Sequence, residues 1–271
     1  MVAFLSRWPL ARAAAEEAVK FIDDQPLSAC SPLGARVAYS VNEYRLCTPL
    51  RPRRLKDYLV YEEHKKKSMA RKGMALPDLW YRMPTYTNRN VCGIADPDEE
   101  IWWPAYTNKL DFEFELAVVI GKRGRDIKAA DAPDYIAGFT IFNDFSARDV
   151  QADEGTIGAG AGKSKDFDQG NVLGPCIVTP DEIDGMNIEM ILRVNGEEWS
   201  RGQYPRNEVY VERYYRKRIS WGNDLSRRRL CFGHHGQRLL SRTGTLVRAW
   251  SNDRAGSWRH WNSTKQSGEG N

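Results

Sequence analysis

The segment Phe112–Ile120 constrains the fold of this chain more than any other stretch of its sequence. It alternates between apolar and acidic residues and then becomes continuously apolar, as a strand does when it enters a buried core. Ile136–Phe142 and Ile188–Val194 are further strand candidates, and the Asn195-Gly196 pair is a strong signal for a hairpin turn. The pattern therefore predicts a mostly β, α+β fold built around Phe112–Ile120.

Pattern and charge divide the chain into three zones, at residues 1–95, 96–210 and 211–271. The whole chain has a net charge of +4, but residues 211–271 alone carry 11 Arg, 2 Lys and four acidic residues, a net charge of +9. The first 210 residues therefore carry −5. We expect a small N-terminal domain with an entry segment, a strand-rich core and an off-pattern basic tail.

Outside the strand candidates, four segments have recognisable local propensities. They are an amphipathic helix at Leu10–Ile22, a strand-like segment at Ala38–Leu46, a basic, helix-prone stretch at Arg53–Gly73 and a short helix at Ala129–Tyr135.

The composition is that of a folded, soluble protein. Its 41% hydrophobic residues suffice for a core, and no apolar run approaches the roughly 18 residues that a membrane helix needs. Five widely spaced cysteines without a CxxC pair favour a reducing compartment, so we expect a cytoplasmic protein with no membrane partner. Met1–Ala15 has Arg7 and Arg12 and no acidic residue, which also fits a mitochondrial presequence.

Glu113 and Glu115 lie two residues apart in the predicted central strand, so both carboxylates project from the same face. Such a pair is self-repelling unless a cation lies between its members. Hard divalent cations such as Mg²⁺ and Ca²⁺ prefer all-oxygen ligands. The pair therefore fits either a metal site or a solvent-facing acidic strand.

Polar and charged residues also gather where the next strand candidate ends, in Asn143–Asp149. The glycine-rich run Gly158–Ser164 follows. It is not a phosphate-binding loop, because Ile157 stands where the first glycine of that pattern is required. A flexible lid or substrate loop is the better interpretation.

An ordered series of motifs resembles the core of the fumarylacetoacetate-hydrolase family. The motifs are Asp111–Leu116, Asn143-Asp144, Arg148–Gln151, Lys163–Asp168, Leu173–Pro175, Val178–Glu182 and Val194–Glu197. The resemblance spans about residues 36–210. It implies the family's mixed β-sheet roll or sandwich, with residues 96–210 as the catalytic core.

The resemblance also implies a metal site. Glu113 and Glu115 match the family's E-x-E pair, Asp144 matches the aspartate of its Asn-Asp motif, and Asp57 matches a further aspartate ligand of hydrolase members. The implied ion is Mg²⁺, with Ca²⁺ or Mn²⁺ as alternatives. Four carboxylates around one ion would leave coordination positions for substrate oxygens or water.

His64, seven residues after Asp57, matches the family's catalytic histidine. Its ordinary pKa of about 6.5 suits a general base near neutral pH. A lone histidine in a Lys/Glu-rich helix is otherwise most often an ordinary surface residue. The glutamate that orients this histidine in the family is not identified here, since Glu62 and Glu63 are too close in sequence to face it.

Arg148, Gln151 and Lys163 match donors that stabilise developing negative charge in the family. Preorganised donors of this kind act as an oxyanion hole does. Tyr86 resembles a substrate-contacting tyrosine. Arg148 has an alternative interpretation as an ion-pair partner of the adjacent Asp149.

The implied activity is a metal-dependent hydrolase in keto-acid catabolism, which cleaves a carbon–carbon bond in a small β-diketo acid or acylpyruvate. Family members also decarboxylate, hydrate or isomerise similar substrates. The resemblance further implies a homodimer, with a small keto acid as the substrate and no nucleic-acid partner.

Downstream of Tyr210 the resemblance stops, and the Arg-rich tail (residues 211–271) replaces the family's closing strands. Read from the second base of each codon, Gly222–Arg229 permits a Tyr-Pro-Gly-Asp turn, and Phe232–Gln237 permits the Gly-Thr turn that the family places next. This indicates a frameshift, missing closing strands and a catalytically impaired remnant. The alternative is a nucleic-acid arm, in which arginines bind phosphates and tryptophans stack on bases.

Overall fold

The computed structural model describes residues 1, 4–5, 7–26, 28–59, 62–70, 73–82, 85–183, 188–203 and 230–232. Its helices are α1 (Trp8–Asp23), α2 (Glu62–Ala70), α3 (Asp78–Arg82) and α4 (Arg148–Thr156), with 3₁₀ turns at Val41–Glu43 and Ala129–Tyr135. Its strands are β1 (Leu55–Tyr58), β2 (Tyr86–Arg89), β3 (Ile94–Ala95), β4 (Leu110–Ile120), β5 (Ile136–Ala147), β6 (Asn171–Val178), β7 (Glu189–Val194), β8 (Glu197–Gln203) and β9 (Leu230–Phe232). None of the helices in these ranges has the length and apolar character needed to cross a membrane.

The strands form one large sheet and one separate hairpin. The sheet has the strand order β2-β1-β9-β4-β5-β6-β3, and β7 and β8 pair only with each other. The β1–β9 and β3–β6 pairs are parallel, while the remaining pairs are antiparallel. The predicted α+β, mostly β fold is therefore confirmed.

β4 is the central strand that the sequence predicts, and eight of its eleven residues are buried. Because successive side chains point to opposite faces, β4 has one apolar face and one acidic face. On the apolar face, Phe114 packs against Met190 and Leu192 of the hairpin. Glu113 and Glu115 project from the other face.

β5 is longer than predicted. The sequence places the end of this strand at Phe142, whereas the strand continues to Ala147, which pairs with Leu110 at the start of β4. Asp144 pairs with Glu113 in the same ladder and therefore lies within the strand. Asn143–Ala147 continue the strand because their backbone pairs with β4 and, at Asn143 and Asp144, also with β6. Arg148 and Asp149 begin α4 instead.

The hairpin turn between β7 and β8 forms where the sequence predicts it. Asn195 has a φ of 54° and Gly196 a φ of 85°. Two successive positive φ angles are what a tight type I′ turn requires. The two strands pair from Val194 and Glu197 outwards.

The N-terminal predictions have mixed outcomes. The Leu10–Ile22 helix is confirmed as α1. The strand predicted at Ala38–Leu46 is wrong, since these residues contain a 3₁₀ turn. Glu43 accounts for the turn, because its carboxylate accepts a hydrogen bond from the backbone of Ser40 and pairs with Arg36.

The Arg53–Gly73 stretch holds a strand as well as the predicted helix. Its first part forms β1, whose four residues are all buried, and α2 begins only at Glu62. Burial against β2 and β9 outweighs the helical propensity of this segment.

One sheet crosses the boundary predicted at residue 95. Strands β1 to β3 precede that boundary, yet they belong to the same sheet as β4 to β6. A single cluster of buried side chains also joins the two zones; its members are Leu55, Ile94, Ala117, Phe142 and Leu173. In the described residues, the expected N-terminal domain and the core thus share a sheet and a core.

The Arg-rich tail contributes one strand to this sheet. In β9, Cys231 pairs with Asp57 of β1 on one side and with Ala117 of β4 on the other. This differs from the expectation that closing strands are missing, because the apolar triplet Leu230–Phe232 suits a position between two buried strands. The tail's other residues, including Trp221 and Trp250, lie outside the described ranges, so the frameshift stays a prediction.

Candidate metal centre

Three carboxylates converge on the acidic face of the sheet. Asp57, Glu115 and Asp144 each offer an oxygen, and these three oxygens lie within 4.8 Å of one another. All three side chains are buried, and Glu115 and Asp144 have no exposed surface. We call these residues the carboxylate triad.

Sheet register explains the convergence. The triad comes from β1, β4 and β5, and β4 and β5 are direct neighbours. Glu113 pairs with Asp144 in the register, and Glu115 lies two residues further along β4. The side chains of Glu113, Glu115 and Asp144 therefore project from the same face of the sheet. Asp57 reaches the triad across β9, where it pairs with Cys231.

Two buried cations hold one side of the triad. Arg89 Nη2 lies 2.5 Å from Asp57 Oδ2 and 2.8 Å from Asp144 Oδ2. Lys165 Nζ lies 2.5 Å from Asp144 Oδ2. Both cations therefore contact the triad through Oδ2 atoms.

Glu113 occupies a different position from the one the resemblance implies. Its Oε1 accepts a hydrogen bond from Arg148 Nη1 at 2.5 Å, and its Oε2 accepts one from Lys165 Nζ at 2.7 Å. Both oxygens are thus engaged by cations. Three of the four predicted ligands form the convergent group, and Glu113 links that group to Arg148.

Several oxygens of the triad are contacted by neither Arg89 nor Lys165. Among the described residues, Asp57 Oδ1, Asp144 Oδ1 and both oxygens of Glu115 are buried without a hydrogen-bond partner. A buried carboxylate oxygen without a partner is costly, and a cation is what would satisfy it. An all-oxygen set at this spacing fits a hard divalent ion such as Mg²⁺, Ca²⁺ or Mn²⁺.

The charges in the network lead to the same conclusion. Counted over the described residues, it contains five carboxylates, from the triad, Asp111 and Glu113, and three cations, from Arg89, Arg148 and Lys165. If all of these groups are ionised, two negative charges remain. A divalent ion bound by the triad would neutralise them.

Burial and like charge act together on Glu115. Loss of solvent, and then the neighbouring charges of Asp57 and Asp144, raise its pKa well above the ordinary carboxyl value. Burial also raises the pKa of Asp144, although Arg89 and Lys165 oppose that shift. A bound cation would favour the ionised forms of both groups.

Arg148 is linked to the triad through Glu113 and Lys165, and it does not pair with its sequence neighbour Asp149. Its Nε donates to Asp111 Oδ2 at 2.6 Å, and its Nη1 donates to Gln151 Oε1 at 3.0 Å as well as to Glu113. Asp149 instead accepts hydrogen bonds from the Thr107 hydroxyl and a backbone amide. The alternative interpretation, an ion pair between Arg148 and Asp149, is therefore wrong.

Lys163 lies outside the cluster, and Lys165 lies within it. The Lys163 ammonium is 4.3 Å from the centroid of the Tyr106 ring. Lys165 is buried and contacts both Glu113 and Asp144. The resemblance implies Lys163 as the donor, whereas Lys165 is the lysine of this Lys-Ser-Lys run that contacts the carboxylates. Sequence spacing does not distinguish the two lysines, so the assignment of the donor stays a prediction.

Tyr86 is not near the triad. Its ring packs on Tyr58 at 5.2 Å and carries the Lys56 ammonium 3.7 Å from its centroid. Tyr58 and Lys56 alternate with Asp57 along β1 and so lie on the opposite face of the strand. His64 lies in α2, the helix that follows β1, and its side chain falls outside the described part of the chain.

Comparison with known proteins places this site in a family. The family described as fumarylacetoacetate (FAA) hydrolase C-terminal matches residues 55–212, more than half of the chain and all of the triad. A curated relative is the oxaloacetate tautomerase FAHD2A, mitochondrial, of Bos taurus, 44% identical over 115 residues. That alignment covers 42% of this chain and 36% of the relative, so this chain spans about a third of the relative's length.

Two solved structures share the fold. A 5-carboxymethyl-2-hydroxymuconate delta-isomerase from Mycobacterium smegmatis has a TM-score of 0.59 and 25% identity, covering 74% of this chain and 73% of its own. The fumarylacetoacetate hydrolase of Exiguobacterium antarcticum has a TM-score of 0.56 and 26% identity, covering 73% and 68% respectively. The family match ends where the Arg-rich tail begins. The family match, the curated relative and the two solved structures together show that the chain belongs to the fumarylacetoacetate hydrolase family of enzymes.

Proposed function

We propose that this chain is a metal-dependent enzyme that interconverts the keto and enol forms of a small 2-oxo acid. The observation that carries the proposal is the buried triad with unpartnered oxygens on one side and cations on the other. The names of its relatives support proton-transfer chemistry, since they include an oxaloacetate tautomerase and an isomerase.

Asp57, Glu115 and Asp144 would hold the divalent ion, with Mg²⁺ as the first choice and Mn²⁺ or Ca²⁺ as alternatives. A bound ion supplies Lewis-acid polarisation to the carboxylate and 2-oxo oxygens of such a substrate, which acidifies the neighbouring C–H bond.

The cations of this chain stabilise the enolate that loss of this proton produces. Arg148 is oriented by Asp111 and Gln151, so its charge is fixed before substrate arrives. In the enol-to-keto direction, Glu113 Oε2 would accept the enol O–H proton and Lys165 Nζ would donate a proton to the enolate carbon. The proton on Glu113 would then return to Lys165 across their 2.7 Å contact, and the keto-to-enol direction is the reverse. Gln151 thus orients Arg148, while Lys165 takes the donor role that the resemblance gives to Lys163.

Carbon–carbon hydrolysis is a second candidate, and the position of His64 favours it. This histidine follows the triad residue Asp57 by seven residues and lies in α2, directly after β1. A general base at this place would activate water for attack on a β-diketo acid or acylpyruvate. One of the solved relatives is named as a fumarylacetoacetate hydrolase.

Paired lysine variants test the proposal. The enol-to-keto conversion of oxaloacetate is followed by ultraviolet absorbance with saturating Mg²⁺, and cleavage of an acylpyruvate is followed in parallel. We expect tautomerisation in the unaltered chain, a loss of about 100-fold in Lys165→Met, and little change in Lys163→Met. A greater loss in Lys163→Met would reverse the assignment of the donor.

The two assays separate the candidate functions. Acylpyruvate cleavage without tautomerisation would favour the hydrolase. A chain that binds Mg²⁺ but turns over neither substrate would indicate the catalytically impaired remnant.

Two further proposals concern the setting of the enzyme. The bovine relative is named as mitochondrial, so a mitochondrial location stands beside the cytoplasmic one predicted from composition. Assembly into a homodimer also remains a proposal, which light scattering of the purified chain would test.

A further inference from the structure

Arg89 is buried at the end of β2, next to the strand that carries Asp57. Its side chain is only 1% exposed. Arg89 pairs with Leu55 in the sheet register, and Leu55 lies two residues from Asp57, so Arg89 projects from the same face as the triad. None of the sequence motifs includes Arg89.

The guanidinium connects two separate strands. Its Nη2 donates to Asp57 Oδ2 at 2.5 Å, and its Nε donates to Asp144 Oδ2 at 3.0 Å. Its Nη1 donates to the Thr87 hydroxyl at 2.7 Å. All three nitrogens are therefore engaged, and the planar group is fixed by β2, β1 and β5 together.

These contacts divide the carboxylate oxygens into two sets. Arg89 contacts the Oδ2 atoms of both aspartates, whereas the Oδ1 atoms of both have no hydrogen-bond partner in the described part of the chain. Because Arg89 fixes one oxygen of each carboxylate, it also restricts the direction in which the Oδ1 atom of that carboxylate points. The unheld oxygens of Asp57 and Asp144 belong to the same triad as the unpartnered carboxylate of Glu115.

The same contacts offset a repulsion. Asp57 and Asp144 are both buried, and in a low-dielectric interior two such carboxylates would separate without a cation between them. A lysine could supply the charge, but its single ammonium lacks the planar fork that addresses two carboxylates at once.

We propose that Arg89 is a positioning residue, which aligns the Oδ1 atoms of Asp57 and Asp144 for a divalent cation before that cation binds. The inference rests on the proposed metal-dependent function. Arg89 contacts the outer oxygens of the ligands and acts through them on the ion.

Charge and positioning predict opposite effects of substitution. Removing a positive charge from beside a cation site would tighten metal binding if charge alone mattered. Loss of alignment would weaken it, typically by about 10- to 100-fold for groups that orient metal ligands. Arg89→Met therefore distinguishes the two, and Arg89→Lys keeps the charge while removing the fork.

The experiment measures Mn²⁺ affinity of the full chain by electron paramagnetic resonance of the free ion. We expect both variants to bind Mn²⁺ about 10- to 100-fold more weakly than the unaltered chain. At saturating Mn²⁺, tautomerase activity of Arg89→Lys should return towards its normal plateau, which loss of folded protein would not allow. Arg201→Lys is the matched control, because Arg201 also bridges two carboxylates, Glu189 and Glu198, but at an exposed position of the hairpin.

Unchanged Mn²⁺ affinity in Arg89→Lys, or tighter binding in Arg89→Met, would overturn the inference and leave the proposed function standing. An unaltered chain that does not bind Mn²⁺ would overturn both. If Arg89→Met fails to fold, Arg89→Lys alone decides the question. A loss in Arg201→Lys equal to that in Arg89→Lys would also reject the positioning role.

Discussion

Glu115 shows how single residues of this site depend on what surrounds them. It is fully buried, and neither of its carboxylate oxygens has a hydrogen-bond partner among the described residues. Its raised pKa means that the folded, metal-free chain holds a proton more tightly there than the unfolded chain does. Ionising Glu115 therefore costs folding free energy unless a cation is bound.

This yields a prediction about pH. In the presence of EDTA, the unaltered chain should lose stability relative to Glu115→Gln as pH rises above 4.5, the ordinary value for this group. Below that pH both side chains are neutral, and the difference should vanish. Melting temperatures of the two proteins across a pH series would measure it.

Added Mg²⁺ should reverse the order above neutral pH, because only the carboxylate binds the ion and the ion stabilises the folded state by mass action. Glu198→Gln is the control. Glu198 is exposed and its pKa is lowered, first by Arg201, so that its stabilising effect should instead appear as pH rises. A Glu115→Gln difference that does not vary with pH would contradict the burial argument.

Sequence reasoning identifies the triad better than its counter-ions. The alternation around Glu113 and Glu115 predicts the acidic face, and the family motifs supply Asp57 and Asp144. Arg89 has no motif, since its role depends on β2 pairing with β1 across a gap of about 30 residues in sequence. Sequence spacing alone does not report such contacts, and it also cannot separate Lys165 from Lys163.

At the scale of elements, local turn chemistry is the most predictable feature. The Asn195-Gly196 turn forms as expected because two adjacent residues tolerate positive φ. β5 runs five residues beyond its predicted end at Phe142, because the backbone of this polar segment pairs with β4. The Asp144 carboxylate is met by Arg89 and Lys165, which the order of residues along the chain does not show. The strand predicted at Ala38–Leu46 failed because Glu43 caps a turn.

Two glycine substitutions, one in the hairpin turn and one in α4, test the role of turn chemistry. Gly196 has a φ of +85° and open space around it, so Gly196→Ala should destabilise the chain by about 1 kcal/mol through backbone strain alone. Gly155 lies inside α4, also with nothing nearby, and Gly155→Ala should stabilise by about 0.5 to 1 kcal/mol. Urea unfolding of both variants would measure the two signs, and equal effects would argue against the turn.

At the scale of the whole molecule, the order of family motifs predicts the fold, but it does not predict β9, the strand that lies between β1 and β4. The sheet joins residues from 55 to 232, and β9 is the only described strand of the Arg-rich tail. Within the described sheet, β1 meets β4 through β9 alone. The strands that carry Asp57 and Glu115 are therefore joined by β9, which belongs to the tail that the sequence analysis interprets as frame-shifted.

Truncation tests this dependence. A chain ending at residue 210 lacks β9, so β1 and β4 each lose a hydrogen-bonding partner and Asp57 loses its fixed distance from Glu115. We expect weaker Mn²⁺ binding and a lower melting temperature than in the full chain. A chain ending at residue 235 keeps β9 and serves as the matched control.

The longer truncation also bears on the frameshift. A segment read in the wrong frame has had no selection for burying a face, so removing residues 236–271 should leave Mn²⁺ affinity and melting temperature unchanged. If that removal destabilises the chain, the tail is a genuine closing element, and the frameshift interpretation fails. If instead the chain ending at 210 binds Mn²⁺ as tightly as the full chain, β9 is not needed to bring Asp57 to the triad. Asp57 would then be held mainly by Arg89, which reaches it from the opposite side of β1.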